Sequence, residues 1–389
     1  MNILLVTGKF PVPSQTFVYY DFLYAIKKGI NASLLCKYKE THSYKIPKEY
    51  EQNIIQYSPK KVNLFSLQSL FFLQKNLYKF WPLVKNYGIE LTAKKVLSLS
   101  YVSEKYRKFD LIHAHFIQWA FDIAFPLSKL LKIPFILSAH DGHILQYSSN
   151  IITCLHKNAS AVIFPSNFQK MRWLSKSKIA NEDNLFIIPN GIKLITNEKK
   201  SFNKFKEDMK KRVKILVVSR LIPQKRVSDA IKLAKLLLNL RKDVKLTIIG
   251  DGPEKNNLRQ LAAKLSLTEK IDFRGFLPHD KVLEHMKNTH IFLHPSENES
   301  FGIVILEAMN AGAIVVAADS GPVKEFLPNN AGYIYSPGDL NSLFAIIKSI
   351  LDDPQKAFEK SLNAIEISSN YSLEKHFSLI LDLWDKVIS

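Results

Sequence analysis

Two glutamates lie eight positions apart in a stretch that joins a short apolar run, a polar turn and an apolar helical pattern. Residues 291–294 predict the end of a buried strand, and residues 303–311 predict a helix. This arrangement places Glu299 at the mouth of the turn and Glu307 inside the helix. The free amides at the helix start form an anion site with the helix dipole, and a glycine lets a ligand approach closely. These amides belong to Ser300, Phe301, Gly302 and Ile303.

Carboxylates beside an anion site repel phosphate, so the two glutamates are better suited to accepting hydrogen bonds from neutral hydroxyls. A phosphate in the middle with hydroxyls at both ends describes a nucleotide sugar. The stretch therefore predicts a site for such a molecule.

Two cations follow a strand predicted over residues 213–219. Arg220 ends that strand, and Lys225 follows five positions later. This pair suits a diphosphate, which an arginine can bind through two hydrogen bonds, although a solvated loop would show the same residues. The next strand ends in a turn at residues 250–253 that lacks the third glycine of a dinucleotide fingerprint, so the evidence for an NAD-type site is weak.

The whole set of motifs resembles the retaining glycosyltransferases of family 4, which have the two-domain B-type fold. The resemblance is carried by Pro-Ser at 295–296, Glu-Ser-Phe-Gly at 299–302 and Glu-Ala-Met at 307–309. A bare pair of glutamates at this spacing would mean little, but the complete cassette is specific. The similarity covers essentially the whole chain and is strongest from Arg220 to Glu325.

The resemblance implies a role for each matching residue. Arg220 and Lys225 would hold the donor diphosphate and stabilise the charge that develops on the leaving nucleotide. Glu307 would bind the ribose, whereas Glu299 and the amides of residues 301 and 302 would bind the sugar. The backbone at Gly275 and Phe276 would meet the nucleobase. The catalytic residues would be Arg220, Lys225, Glu299 and His140.

The first half of the chain would bind the acceptor. His140-Asp141 matches a histidine–aspartate pair that family members carry beside the donor sugar. Residues 8–17 depart from the family's glycine-glycine turn and resemble instead a subset with a Ser-x-Thr-Phe pattern, common in exopolysaccharide and lipopolysaccharide assembly enzymes. The acceptor site would comprise Ser14, Gln15, Thr16, His140 and Asp141.

Metal ligands are not expected. His113 and His115 could share a strand face, but no third ligand is evident. No Asp-x-Asp motif occurs, which matches a metal-independent B-type enzyme. We therefore expect no cofactor beyond the nucleotide-sugar co-substrate.

Strands alternate with helices in both halves, which predicts two parallel, doubly wound sheets. The fold class is α/β: two Rossmann-like β/α/β domains facing across a cleft, with a C-terminal helix that crosses back to the first domain. The first domain would span residues 1–195, completed by helix 372–389, and the second residues 196–371. Ser14 is the expected N-cap of the first helix, and the charged residues 197–212 are expected to form a linker.

Charge is distributed unevenly along the chain. Of 54 Lys+Arg and 35 Asp+Glu, residues 1–195 hold 25 and 11. This basic first half indicates an acidic partner such as an anionic membrane or a phosphorylated lipid, or simply a lysine-rich background. Two lone cysteines and the lack of a signal peptide indicate a cytoplasmic protein.

Residues 60–108 form a basic, aromatic, helical insertion. Such a composition is typical of a helix in a membrane interface, although the apolar side could equally pack on its own domain. The protein would then lie on the inner face of the membrane. Nucleic acid is not an expected partner, because no recognition module is visible.

The sequence thus predicts a retaining glycosyltransferase that moves a hexose-type sugar from a nucleotide-diphosphate-sugar to an acceptor hydroxyl. The acceptor would be a lipid-linked or growing glycan in the biosynthesis of cell-surface polysaccharide: exopolysaccharide, capsule or lipopolysaccharide. The alternatives are a non-catalytic scaffold of the same fold that binds a nucleotide or a membrane, and a Rossmann oxidoreductase.

Overall fold

Two parallel sheets organise the part of the chain that the structure, a computed structural model, describes. That part comprises residues 1–12, 15–39, 46–57, 64, 66–103, 108–195, 201–240 and 243–389. The chain divides into two compact units. Unit 1 contains residues 1–189 and 376–389, and unit 2 contains residues 190–375.

Unit 1 is built on a sheet of seven parallel strands in the order β3-β2-β1-β4-β5-β6-β7. The strands are β1 (Asn2–Phe10), β2 (Asn31–Lys39), β3 (Ile54–Gln56), β4 (Leu111–His115), β5 (Phe135–Ser138), β6 (Ala161–Phe164) and β7 (Leu185–Ile187). The helices are α1 (Thr16–Lys27), α2 (Leu67–Asn76), α3 (Trp81–Tyr87), α4 (Ile89–Ser103), α5 (Ile117–Trp119), α6 (Phe125–Leu131), α7 (Ser149–Asn158) and α8 (Asn167–Leu174).

Unit 2 contains a sheet of six parallel strands in the order β10-β9-β8-β11-β12-β13. The strands are β8 (Val213–Val218), β9 (Val244–Ile249), β10 (Ile271–Gly275), β11 (Ile291–His294), β12 (Ile314–Ala318) and β13 (Tyr333–Tyr335). The helices are α9 (Phe202–Lys211), α10 (Val227–Asn239), α11 (Lys255–Lys264), α12 (His279–Lys287), α13 (Ile303–Asn310), α14 (Leu340–Asp352), α15 (Pro354–Ser369) and α16 (Leu373–Ile388), whose last part belongs to unit 1.

Both faces of the unit 2 sheet are buried. Along β8, Ile215 and Val217 join one hydrophobic cluster while Leu216 joins the other, because successive side chains of a strand point to opposite faces. Helices must therefore cover the sheet on both sides, which is the doubly wound arrangement that the alternating pattern predicts. The predicted fold class is confirmed at the level of each unit.

The C-terminal helix packs on unit 1, as predicted. His376 of α16 bonds to Asp21, Phe377 contacts Tyr24, and Trp384 is fully buried against His113. An apolar stripe along this amphipathic helix supplies the contacts of Phe377 and Trp384.

Two local predictions near the start of the chain are wrong. Strand β1 continues to Phe10, because Lys9 and Phe10 pair with Tyr38 and Lys39, so the turn begins later than Gly8. Gly8 is extended, and a Cβ there would lie 2.3 Å from the Trp119 ring. The N-cap residue of α1 is Gln15 rather than Ser14, which lies outside the described residues.

The supposed linker contains a helix. Residues 202–211 form α9, in which Phe205 and Met209 are buried in the core of unit 2. Their spacing of four residues is the helical signal that the dense charge obscured. The short edge strand β3 was not predicted either, since three residues give no readable alternation.

Candidate functional site

The main cluster of predicted site residues lies where the strand order of unit 2 changes direction. Strands β8 and β11 are neighbours, and the chain leaves them toward opposite sides of the sheet. Ligands of doubly wound sheets bind at this point, beyond the carboxyl ends of the strands. Arg220 and Lys225 follow β8, while Glu299 and the start of α13 follow β11.

Helix α13 begins with a run of unused backbone donors. Its N-cap residue Gly302 has a left-handed conformation (φ 99°), which favours glycine. The amides of residues 300–303 donate no hydrogen bond to any residue that the structure describes. Phe301 turns its ring away into the core, where it packs on Phe326 with a centroid separation of 5.3 Å. The backbone of this turn is therefore available for an anion or a polar ligand, as the sequence predicts.

Glu299 is held by two cationic or polar groups at one oxygen. Its Oε1 accepts a hydrogen bond from His294 Nε2 at 2.7 Å and forms an ion pair with Lys225. Burial alone would raise the pKa of Glu299, but the bond from His294 and the charge of Lys225 outweigh it and hold the pKa well below 4.5. Glu299 is therefore an anionic acceptor with a fixed orientation.

Glu307 has one histidine partner. His279 Nε2, at the start of α12, lies 2.7 Å from Glu307 Oε1. Burial opposes the charge on this histidine, but the carboxylate more than compensates and raises the pKa of His279 above 6.5. The contact orients the second glutamate on the first turns of α13.

The side chain of Arg220 is exposed and forms no hydrogen bond or ion pair with another described residue. Its backbone is nevertheless fixed, since the amides of Ser219 and Leu221 donate to the carbonyls of Ile249 and Asp251 at 3.1 and 2.9 Å. The guanidinium is thus free to bind a ligand from a rigid base.

Glycine is needed at position 250 because the loop after β9 approaches the backbone of Ser219 closely. Gly250 has φ +136°, and a Cβ there would lie 1.8 Å from the carbonyl oxygen of Ser219. The glycine turn that resembles a weak dinucleotide fingerprint therefore has a structural role: it lets the loop after β9 lie against the segment that carries Arg220.

Lys225 and Glu299 are brought together by bonds between their loops. The amide of Glu297 donates to the carbonyl of Gln224 at 3.0 Å, and Arg226 reaches the Glu297 carboxylate at 3.4 Å. These contacts fix the loop after β11 beside the turn after β8, although the two segments are about seventy residues apart in the sequence.

Gly275 and Phe276 lie at the end of β10. Gly275 has φ +67°, and its carbonyl accepts a hydrogen bond from Gly250 N at 2.8 Å. The ring of Phe276 is 51% exposed. The segment is joined to the glycine turn after β9 and so to the same edge of the sheet as Arg220.

In unit 1, the predicted residues lie at the ends of β1, β4 and β5. His140 is buried, and the centroid of its ring lies 3.9 Å from the centroid of the Phe17 ring. Asp141 accepts hydrogen bonds from the amide of Ile117 and the hydroxyl of Tyr147, both at 2.9 Å. Its carboxylate therefore fixes the start of the helical segment after β4.

Of the other residues predicted to bind the acceptor, Gln15 and Thr16 lie at the start of α1. Thr16 is the first residue of the helix. The backbone amide of Gln15 donates a hydrogen bond to the carbonyl of Val12 at 2.9 Å. The side-chain oxygen of Gln15 is buried without a partner, so it can accept a hydrogen bond. Ser14 lies outside the described residues.

Sequence reasoning missed the supporting roles of His279 and His294. His294 ends a strand five residues before Glu299, which is a signal that could have indicated the contact. His279 is 28 residues from its partner and gave no such signal. Among the described residues, no group of three or more metal-ligand side chains is arranged around one point.

No helix in the described part of the chain is long and apolar enough to span a membrane. Several large apolar side chains between α2 and α4 are nevertheless exposed, with lysines between them. The exposed fraction is 69% for Phe71, 71% for Tyr78, 54% for Trp81 and 61% for Ile89.

Comparison with known proteins covers both halves of the chain. Residues 41–195 match the family model described as Glycosyltransferase Family 4, and residues 197–369 match the model described as Glycosyl transferases group 1. Together these models account for most of the sequence and meet near the division between the two units.

The chain is also similar to curated proteins. It is 30% identical over 177 residues to the phosphatidylinositol N-acetylglucosaminyltransferase gpi3 subunit of Schizosaccharomyces pombe, covering 45% of this chain and 38% of that protein. It is 27% identical over 282 residues to the sulfoquinovosyl transferase SQD2 of Arabidopsis thaliana, covering 66% and 53%. The matches thus span about half or less of the length of these relatives.

Solved structures share the fold. HepE of Anabaena, solved in complex with UDP and glucose, has a TM-score of 0.77 at 20% identity and covers 99% of this chain and 100% of its own. WaaG, a glycosyltransferase involved in lipopolysaccharide biosynthesis, has a TM-score of 0.68 at 17% identity, with 98% and 99% covered. With both family models matched and this fold in common, the chain belongs to glycosyltransferase family 4 and has the B-type glycosyltransferase fold.

Proposed function

We propose that this protein is a retaining glycosyltransferase that transfers a hexose-type sugar from a nucleotide-diphosphate-sugar to an acceptor hydroxyl. The observation that carries the proposal is the group at the switch point of unit 2. There Glu299 is fixed as an anion beside the unused amides of residues 300–303, with Lys225 in contact and Arg220 on a neighbouring loop. This combination offers cations and amides for phosphate and carboxylates for hydroxyls.

Each residue has a distinct part in donor binding. Arg220 and Lys225 bind the diphosphate, and the amides of residues 301 and 302 bind the sugar together with Glu299. Glu307 binds the ribose. The backbone of Gly275 and Phe276 meets the nucleobase. These cations supply the positive charge that the leaving nucleotide needs, so the proposal includes no metal or other cofactor.

The chemical step replaces one bond at the anomeric carbon. The acceptor oxygen attacks that carbon on the face from which the phosphate leaves, so the configuration is retained. The bond to the phosphate oxygen breaks with its electron pair, and the acceptor proton passes to that oxygen. His140, beside the acceptor residues Gln15, Thr16 and Asp141, contacts the transferred sugar or the acceptor.

Turnover of the variants Arg220→Ala and Lys225→Ala tests the proposal. We expect each to lose on the order of 100-fold or more in kcat with UDP-, GDP- or ADP-sugars, because the leaving charge is no longer stabilised. Lys264→Ala, which removes an exposed lysine at the end of α11, is the matched control. Unchanged turnover in both site variants would refute the assignment, and a wild-type protein that binds UDP but neither transfers nor hydrolyses a sugar would be a scaffold.

The acceptor is a lipid-linked or growing glycan of a cell-surface polysaccharide, such as exopolysaccharide, capsule or lipopolysaccharide. Two similar proteins support this view: one is a phosphatidylinositol N-acetylglucosaminyltransferase subunit, and WaaG is involved in lipopolysaccharide biosynthesis. A lipid-linked acceptor requires an enzyme that reaches the membrane surface, and the protein is proposed to work in the cytoplasm on the inner face of the membrane.

An exposed basic and aromatic surface on α2, on α3 and on the 3-10 turn between them (Leu77–Phe80) would make the membrane contact. Phe71, Tyr78 and Trp81 are more than half exposed, and Lys75, Lys79 and Lys85 lie among them. Aromatic rings at the headgroup level and lysines near anionic lipid both favour binding. Co-sedimentation with vesicles of anionic and neutral lipid tests it: binding should require anionic lipid, weaken with salt and fall in Phe71→Ser/Trp81→Ser. No binding to anionic vesicles at low salt would remove the membrane role but not the transferase.

A further inference from the structure

Four histidines and one aspartate form a buried cluster in unit 1. Asp21 lies on α1, His113 and His115 on β4, His140 after β5 and His376 on α16, and all five are at most 7% exposed. The rings of His113, His115 and His140 are stacked in sequence, with centroids 4.8 and 5.4 Å apart. The cluster connects the C-terminal helix to the proposed sugar-binding histidine.

His376 is fixed as a cation at one end of the cluster. Its Nδ1 lies 2.7 Å from the carbonyl oxygen of Pro189, and its Nε2 lies 2.9 Å from Asp21 Oδ1. Both partners can only accept, so both ring nitrogens carry protons. Burial opposes the charge, but the Asp21 carboxylate raises the pKa of His376 above 6.5. Asp21 in turn has a lowered pKa and is an anion.

Both ring nitrogens of His113 have hydrogen-bond partners. Trp384 Nε1, which can only donate, lies 3.1 Å from His113 Nδ1. The proton of His113 is therefore on Nε2, from which it is donated to Ser138 Oγ at 2.8 Å. This histidine has no nitrogen left for His115 or His140, although its ring stacks on the former.

His115 passes the effect of Asp21 to His140. Its Nε2 lies 4.0 Å from Asp21 Oδ2, and its Nδ1 lies 3.3 Å from His140 Nε2. Burial lowers the pKa of His115 to about 4, so the ring has a single proton at neutral pH. Nε2 of His115 is buried without a hydrogen-bond partner among the described residues, and the charge of the Asp21 carboxylate 4.0 Å away favours the proton on that nitrogen. Nδ1 of His115 is then an acceptor, and His140 Nε2 must be the donor.

His140 is left with one unused nitrogen. Its Nδ1 is buried without a hydrogen-bond partner, while the rings of Phe17 and Phe116 pack on the imidazole. With the proton on Nε2, this nitrogen has a lone pair. An unpartnered acceptor at the carboxyl end of a central strand costs stability unless a ligand donates to it.

We propose that Asp21, His376 and His115 are positioning residues that fix the tautomer of His140, so that its Nδ1 accepts a hydrogen bond from a substrate hydroxyl. The arrangement selects a neutral hydroxyl donor. It rejects an anionic phosphate oxygen, because that oxygen and His140 Nδ1 would present lone pairs to each other. The source of the hydroxyl, a sugar of the donor or the acceptor, rests on the proposed function. The tautomer itself does not.

Nitrogen-15 NMR of the full-length, histidine-labelled protein tests the tautomer directly. We expect His140 to show a protonated Nε2, slowed in exchange by its bond to His115, and a lone-pair Nδ1. His115→Phe keeps a ring but removes the acceptor, so the protected Nε2 proton of His140 should be lost. His113→Phe, two residues along the same strand and equally buried, is the control and should keep it. A protonated Nδ1 of His140 in the wild type would overturn the proposal.

Kinetics separate a positioning role from a purely structural one. With UDP-glucose as the probe, we expect His115→Phe to lower kcat roughly three- to tenfold, the equivalent of one neutral hydrogen bond, with little change in KM. His115→Asn places an oxygen at the position of Nδ1 and should restore most of kcat. Equal losses in His115→Asn, His115→Phe and His113→Phe would indicate packing alone and overturn the proposal.

The two proposals fail in different ways. If the wild type transfers or hydrolyses no sugar but His140 shows the expected tautomer, the transferase function is refuted and the positioning role of His115 stands. If turnover is normal but the Nε2 proton of His140 is absent or insensitive to His115→Phe, the positioning role is refuted and the transferase function stands.

Discussion

Lys225 and Glu299 form an ion pair whose side chains are each only 12% exposed. Both residues are proposed to bind the donor, the lysine through its diphosphate and the glutamate through its sugar. The charge of Lys225 is therefore directed at Glu299. A diphosphate must compete with that carboxylate for the lysine. His294 and Lys225 both contact Oε1 of Glu299, and these two contacts fix the orientation of the carboxylate.

This competition predicts that Glu299→Gln binds UDP more tightly than the wild type. Without the carboxylate, Lys225 is available to the diphosphate, and we expect about a three- to tenfold lower Kd, equivalent to about 1 kcal/mol. Turnover of UDP-glucose should fall, because the anionic acceptor for the sugar is lost. Calorimetric titration with UDP measures the first effect. Weaker binding of UDP would show that Glu299 contacts the nucleotide rather than the sugar.

Glu307→Gln should have the opposite effect on UDP. A ribose hydroxyl would lose its bond to a charged acceptor, which is worth roughly 1.5–3 kcal/mol, so we expect the Kd of UDP to rise at least about tenfold. The same titration compares both variants, and each is the control for the other. An unchanged Kd for UDP in Glu307→Gln would contradict the assignment of Glu307 to the ribose.

The His279–Glu307 contact predicts a pH-dependent stability of unit 2. The pKa of His279 is raised above 6.5 in the folded protein, so its contribution is complete below pH 6.5 and is lost as pH rises through the folded value. His279→Gln should therefore lower the free energy of unfolding by roughly 1–2 kcal/mol near pH 6 and by less near pH 9. Thermal unfolding across this range measures it. A deficit that grows with pH would contradict the ion pair.

Gly250→Ala should be strongly destabilising. The new Cβ would lie 1.8 Å from a backbone oxygen of Ser219 in a left-handed region of φ, so we expect a loss of at least about 3 kcal/mol. Gly29→Ala is the matched control: φ is +77°, but no atom lies within 4 Å of the Cβ position, so about 1–2 kcal/mol is expected. Denaturant unfolding compares them. Equal losses would mean that the close approach beside Arg220 is not a constraint.

The sequence by itself determined the alternation of strands and helices in both units of this protein. Runs such as residues 244–249 and 291–294 are apolar over the length of a buried parallel strand, and amphipathic patterns separate them, so local periodicity was sufficient. The start of the helix at Ile303 and its glycine N-cap could also be predicted, because the conformation of a helix start depends on residues that are neighbours in the sequence. Family resemblance added the residues that are proposed to bind the donor, among them Arg220 and Lys225.

Only the tertiary structure decided which side chains are partners. Lys225 and Glu299 are 74 residues apart, and His376 and Asp21 are 355 apart. No periodicity encodes such pairs, since they depend on the strand order and on where helix α16 packs. The tautomers of His113 and His115 likewise follow from buried partners on other elements, because burial and neighbouring charges rather than residue type determine where a ring carries its proton.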